Sequence, residues 1–197
     1  DSQKGRARFL LEQLGNLPER IEYADGREFR FGKTVIKFSP PVFHGTTDRL
    51  GYVVQALVKR GDESFLHTSD VEGPSVDDQI EFILKERPRT ILLDGPLSYM
   101  LGFRYSQASF KRAVDNIVRV LEERKVECLI VDHHLLRDLQ WRERIAPAFE
   151  KAEERGIRLV TAAEFLGKEP ELLEARRREL YREEPVKVKR ARGKGAD

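Results

Sequence analysis

Histidine is scarce in this sequence, and its four copies stand where chemistry could be done. His44 lies in the segment VFHG, His67 in HTSDVEGP, and His133 with His134 in VDHHLLRD. Acids accompany them: Asp70 just after His67, Asp132 directly before His133, and Asp94 in LLDGP. Imidazole and carboxylate together form a donor set for a divalent cation. One ion takes three or four such donors, and a pair of ions shares a carboxylate. His44, Asp70, His133 and His134 are therefore the candidate metal ligands. Asp70 is the carboxylate placed to be shared, and is the candidate catalytic residue. His67, Asp94 and Asp132 read as groups supporting the ligands from behind. Asp94-Gly95-Pro96 is also a common turn sequence, and both readings stand. Glu72 reads as an exposed loop carboxylate, with a catalytic acid as the alternative.

These residues need a scaffold that carries them to one place. The run CLIV at 128–131 is short and continuously apolar, as in a strand buried on both faces. Segments 90–93 and 157–160 have the same character. Between them the spacing turns helical. Val76, Ile80, Ile83 and Leu84 share a face over 75–87, with Ser75 as the capping residue. Phe110, Val114, Ile117, Val118 and Leu121 do so over 107–124, behind Ser106 as N-cap. Trp141, Ile145, Phe149 and Ala152 follow Asp138 as cap, and Gly156 closes that helix. Thr161 caps a further turn, and 170–183 reads as a charged helix.

The first third is different. A short amphipathic helix over 6–14 stops at Gly15. Strands over 28–31 and 34–38 flank Gly32-Lys33, a two-residue hairpin connection. Strands over 52–58 and 64–67 follow, and alternation assigns Phe29, Phe31 and Phe38 to the core. The order is β-hairpins, then β-α-β-α-β-α, which implies a layered α/β sandwich. Asp94, Asp132, His133 and His134 then fall at C-terminal strand ends, where open α/β sheets place their ligands.

Composition narrows the class. At 197 residues, 40% hydrophobic and 36% charged, the chain suits one globular domain, assigned to 1–184. The remainder, 185–197, carries five basic residues against Asp197 and reads as a disordered basic tail able to touch phosphates weakly. A net charge of +2 gives no global field for nucleic acid. A single cysteine, Cys128, excludes an internal disulfide and fits a reducing cytoplasm. No apolar run reaches the length of a membrane span, and none reads as a signal peptide. The opening at Asp1 rather than methionine reads as the middle of a longer protein.

A strand then VFHG, a strand then HTSDVEGP, and a strand then VDHHLLRD, after β-hairpins, resemble the second half of a metallo-β-lactamase-fold hydrolase. More narrowly they resemble an uncharacterised archaeal branch of that superfamily with DVQGP-like, DGPP-like and DHHLLRD-like segments. The resemblance covers roughly 6–184. It implies an αββα sandwich of metallo-β-lactamase type with the metal at one edge. It maps the third metal motif onto His44, the bridging aspartate onto Asp70, and a late histidine onto His133 or His134. It implies one or two zinc ions, with iron or manganese as substitutes. The metal would lower the pKa of bound water, for attack on an ester, phosphodiester, thioester or amide. The family's HxHxDH signature is absent here, and no HxH pair precedes His44. The resemblance therefore implies an N-terminal part missing from this chain and half of an active site in it.

Two rivals make different demands. A DHH-type manganese phosphoesterase also carries Asp-His-His after a buried strand, but calls for an Asp-x-Asp on an earlier strand, and the sequence has none. A non-catalytic RNA-binding module using the basic tail calls for exposed aromatics beside basic residues on strands.

Overall fold

The computed structural model describes residues 2–183; the basic tail lies outside them. Helix α1 (Ser2–Leu14) leads into strands β1 (Glu28–Phe31) and β2 (Thr34–Phe38). A small ribbon of β3 (Val42–Phe43) and β4 (Tyr52–Val53) follows, then β5 (Ala56–Arg60) and β6 (Glu63–His67). From there strands and helices alternate: α2 (Asp78–Glu86), β7 (Thr90–Leu93), α3 (Gln107–Leu121), β8 (Cys128–Val131), α4 (Trp141–Arg144), α5 (Ala146–Arg155) and β9 (Arg158–Thr161). Two short helices, α6 (Ala162–Phe165) and α7 (Arg177–Glu183), end the described chain.

Seven strands form one mixed sheet in the order β1-β2-β5-β6-β7-β8-β9. The first four pair antiparallel and β6 to β9 pair parallel. Each parallel strand is added beside the previous one, so successive crossovers send their helices to the same face. Burial agrees. Leu57, Leu66, Ile91, Leu129 and Leu159 stand opposite one another across five strands, and all lie in the core with α2, α3 and α5. Each contributes about 2 kcal/mol by leaving water. The next register line points to the other face: Val58 and Phe65 on it are exposed, whereas Cys128 farther along is buried.

The α/β alternation expected from the apolar periodicity is present, but several local expectations are corrected. Segment 52–58 is not one strand: β4 leaves to pair with β3, and β5 resumes in the main sheet. Helix α2 starts three residues after Ser75, which is buried with its hydroxyl bonded to Tyr105. Asp138 accepts from the Gln140 backbone N–H, so it shapes the turn before α4 rather than capping it. Phe31 is exposed at the sheet edge, where no further strand among the described residues covers it, whereas Phe29 and Phe38 pack edge to face at 6.0 Å. Ser106 and Thr161 do cap α3 and α6, Thr161 within a reciprocal capping box. No helix among the described residues is long and apolar enough to cross a membrane.

Candidate metal centre

The parallel strands end in loops that are stapled to one another. The Thr68 backbone N–H donates to Leu92 O, the Asp94 N–H donates to Thr68 Oγ1, and the Asp132 N–H donates to Leu93 O. This ladder carries strand register past the strand ends, so Asp70, Asp94 and His134 are held by the sheet rather than by free loops. His44 arrives from the β3–β4 ribbon, where its N–H donates to Gly51 O.

Gln79 holds the two entering loops together. Its buried Nε2 lies within hydrogen-bond distance of Phe43 O (3.0 Å), Gly45 O (2.8 Å) and Val71 O (2.9 Å). Its Oε1 accepts from the Ser75 N–H at 2.6 Å. One side chain at the start of α2 thus fixes the His44 loop against the Asp70 loop. Gly95 fixes the next pair. Its φ is +89°, and a Cβ there would lie 2.6 Å from Leu135 Cβ. Only glycine lets the Asp94 loop approach the His134 loop so closely.

Donor atoms from four loops converge. Asp70 Oδ1 lies 2.9 Å from His134 Nε2 and 3.3 Å from His44 Nε2. Glu72 Oε1 lies 3.6 Å from His44 Nε2 and 3.9 Å from His134 Nε2. Asp70, Asp94, His133 and His134 offer atoms within 4.8 Å of one another, and so do His44, Glu72 and His134. Asp94 is buried and joins the loops: Oδ2 accepts from the Glu72 N–H at 2.6 Å, and Oδ1 from the His134 N–H.

The electrostatics follow from this packing. The hydrogen bond from His134 is the main cause of a lowered Asp70 pKa. Burial raises the Asp94 pKa to about 7, with the Asp70 charge adding and His134 opposing. Although His133 reaches the surface, packing around its ring and the neighbouring His134 lower its pKa. Of the five described non-glycine residues with positive φ, Ser69, Glu72 and His133 lie in these loops. Such backbone is costly and gathers at functional sites.

Of the sequence-assigned residues, His44, Asp70, His133, His134 and Asp94 come together. His67 lines a cavity of about 300 Å³ beside Asp70 but contributes no atom to the donor groups. Asp132 lines the same cavity, and among the described residues its carboxylate bonds neither histidine. The group that orients His134 is instead Tyr99, with its hydroxyl 3.3 Å from Nδ1. Arg137 donates to that hydroxyl at 3.1 Å and lies over the ring. Glu72 departs from expectation most: its side chain is 14% exposed and faces both imidazoles. Its φ of 50° turns it inward, which its side-chain type does not announce. Tyr99 and Gln79 were equally silent in the sequence, one in an aperiodic loop and the other a polar residue at a helix start.

No family model matches the chain. It is similar to a UPF0282 protein of Korarchaeum cryptofilum, 49% identical over 185 residues, which is 94% of this chain and 61% of the relative. A UPF0282 protein of Metallosphaera sedula is 44% identical over 189 residues, covering 95% and 61%. One of Saccharolobus solfataricus is 40% identical over 193 residues, covering 96% and 62%. The chain thus spans about three fifths of the length of these relatives.

Proposed function

We propose that this chain is the metal-binding half of a metal-dependent hydrolase of metallo-β-lactamase type, with His44, Asp70 and His134 as ligands. The observation that carries the reading is one carboxylate oxygen, Asp70 Oδ1, set between two imidazole Nε2 atoms at the C-terminal edge of a sheet. The donor set fits the ion: imidazole nitrogen and carboxylate oxygen suit zinc, and iron or manganese accept the same atoms. Zinc, when bound, makes hydroxide available near neutral pH for attack on an ester, phosphodiester, thioester or amide.

The chain's own residues do the positioning. With His134 Nε2 given to the ion, its Nδ1–H donates to Tyr99 and fixes the ring. Asp94 holds the Glu72 and His134 backbones at a fixed separation. The place of His44 in the cluster favours this reading over a DHH-type phosphoesterase, whose site would not draw on the antiparallel half. With α2, α3 and α5 on one face of the sheet and Val58 and Phe65 exposed on the other face of β5 and β6, the sheet is consistent with one half of an αββα sandwich. The free, buried Cys128 agrees with a reducing cytoplasm.

Calorimetric titration of the chain with zinc tests the ligands. Stoichiometric binding that weakens about a thousandfold in His134→Ala is expected. Absence of binding, or equal binding by the variant, would reject the reading. Hydrolysis belongs to the longer protein, and assay of that protein against nitrophenyl esters and bis-nitrophenyl phosphate tests it.

A further inference from the structure

The turn over 98–105 stands beside the candidate metal centre and touches it only through Tyr99. It is firmly built. Met100 O accepts the N–H groups of Phe103, Arg104 and Tyr105, and the Gly102 N–H donates to Tyr105 O. Tyr105 is buried, with its hydroxyl bonded to Ser75 of the loop that carries Asp70. Yet this fixed turn holds Phe103 out in water at 83% exposure, with Arg104 exposed beside it.

A stray apolar residue on a surface needs no explanation, but Phe103 is not alone. Tyr99, in the same turn, is exposed on one side and reaches His134 Nδ1 with its hydroxyl. Arg137 donates to that hydroxyl and lies over the Tyr99 ring. Among the described residues no carboxylate lies within 4.0 Å of the Arg104 or Arg137 guanidinium, whereas Arg142 and Arg144 are bonded to Glu164 and Asp138. The sequence leans the same way. The chain has 34 acidic residues in 197, and the stretch 95–114 has none. A rigidly held aromatic ring, arginines whose charge is uncompensated and a lack of carboxylates are the parts of a single-strand site, where bases stack on rings and phosphates meet guanidinium.

We propose that 98–105 and Arg137 form a landing surface for single-stranded nucleic acid, with a base stacked on Phe103 and phosphates held by Arg104 and Arg137. The surface adjoins the candidate metal centre through the Tyr99–His134 contact. Of the four substrate classes above, the phosphodiester is therefore the one selected. That choice of substrate rests on the metal-dependent hydrolase reading; the binding surface does not.

The test is fluorescence anisotropy of end-labelled uridine and thymidine strands of about 12 nucleotides with the full chain, in EDTA so that no metal takes part. Both strands should bind, and a preference for one of them names the sugar. Phe103→Ala, at an exposed site that the fold does not need, should weaken binding about tenfold, the loss of one base stack. Arg104→Gln and Arg137→Gln should each lower the slope of log affinity against log salt by about 0.7, the value for one phosphate of a single strand. Arg142→Gln, whose cation is already taken by Glu164, should bind as the wild type does. No binding of either strand, equal binding by Phe103→Ala, or unchanged salt slopes in both arginine variants would overturn the proposal. So would binding of phosphatidylglycerol vesicles in place of the strands. Strand binding that depends on Phe103 in a chain that takes up no zinc would uphold the surface and reject the metal-ligand assignment. Zinc uptake without strand binding would do the reverse.

Discussion

The two edges of the parallel sheet use acids in opposite ways. At the edge where β7 and β8 begin, acids are matched by permanent cations. Glu86 is bonded by Lys37 and by Lys59, the latter at 2.8 Å, and Arg89 reaches Glu127 at 2.6 Å. Nearby, Arg87 meets Glu123 at 3.2 Å. At the edge where the same strands end, Asp70, Glu72 and Asp94 have no lysine or arginine within 4.0 Å among the described residues. Their partners there are imidazoles and backbone N–H groups. The ionisation behaviour divides accordingly. Lys37 and Lys59 outweigh burial and lower the Glu86 pKa, while burial prevails at Asp94 and lifts it to about 7. Acids paired with fixed cations hold the fold.

This contrast can be broken at either edge. The largest expected effect is His134→Ala, which should weaken zinc binding about a thousandfold, or ~4 kcal/mol, in a calorimetric titration. Its effect on the urea midpoint of the metal-free chain should be much smaller. Gln79→Leu comes next. It removes the partner of the Phe43 and Gly45 carbonyls and of the Ser75 N–H, at about 3 kcal/mol in urea unfolding. Zinc affinity should fall with it, because both ligand loops lose their tie.

At the opposite edge, Glu86→Gln should cost about 2 kcal/mol of stability and leave zinc affinity unchanged. Its pH dependence has a definite sign. A carboxylate whose pKa is lowered by folding stabilises above its unfolded pKa and loses that contribution as pH falls through the folded value. The difference between wild type and Glu86→Gln should therefore be constant above about pH 5 and shrink on acidification below about pH 4. Tyr99→Phe should weaken zinc binding about tenfold with little change in unfolding, since it removes the bond that orients His134 and an exposed one from Arg137. Smallest is Arg87→Ala, whose exposed pair with Glu123 should contribute no more than about 0.5 kcal/mol to the urea midpoint.

The fold was legible where pattern decides structure. Continuous apolar runs at 90–93 and 128–131 gave strands with those bounds, and Ser106 and Thr161 announced their helices. It was not legible where tertiary pairing overrides pattern. Val54 and Gln55 look like strand residues, yet the chain there switches from one sheet to another. The site divides in the same manner. Histidines and strand-end aspartates are rare enough to be noticed, and His44, Asp70 and His134 were. A glutamate in a loop, a tyrosine and a buried glutamine carry no such signal. Their positions depend on backbone angles and on contacts such as that between residues 79 and 43, 36 apart in sequence.

The order of the strands has a further consequence for the unfolded chain. Asp70 and His134 are separated by 64 residues, and the segment between them includes β7, α3 and β8. Closing a loop of that length in a flexible polymer costs on the order of 4 kcal/mol in chain entropy. The folded sheet meets that cost before any ion arrives. Under the proposed ligand assignment, an ion held at both ends would work as a removable crosslink, opposing the spread of local opening at the strand-end loops into the parallel half.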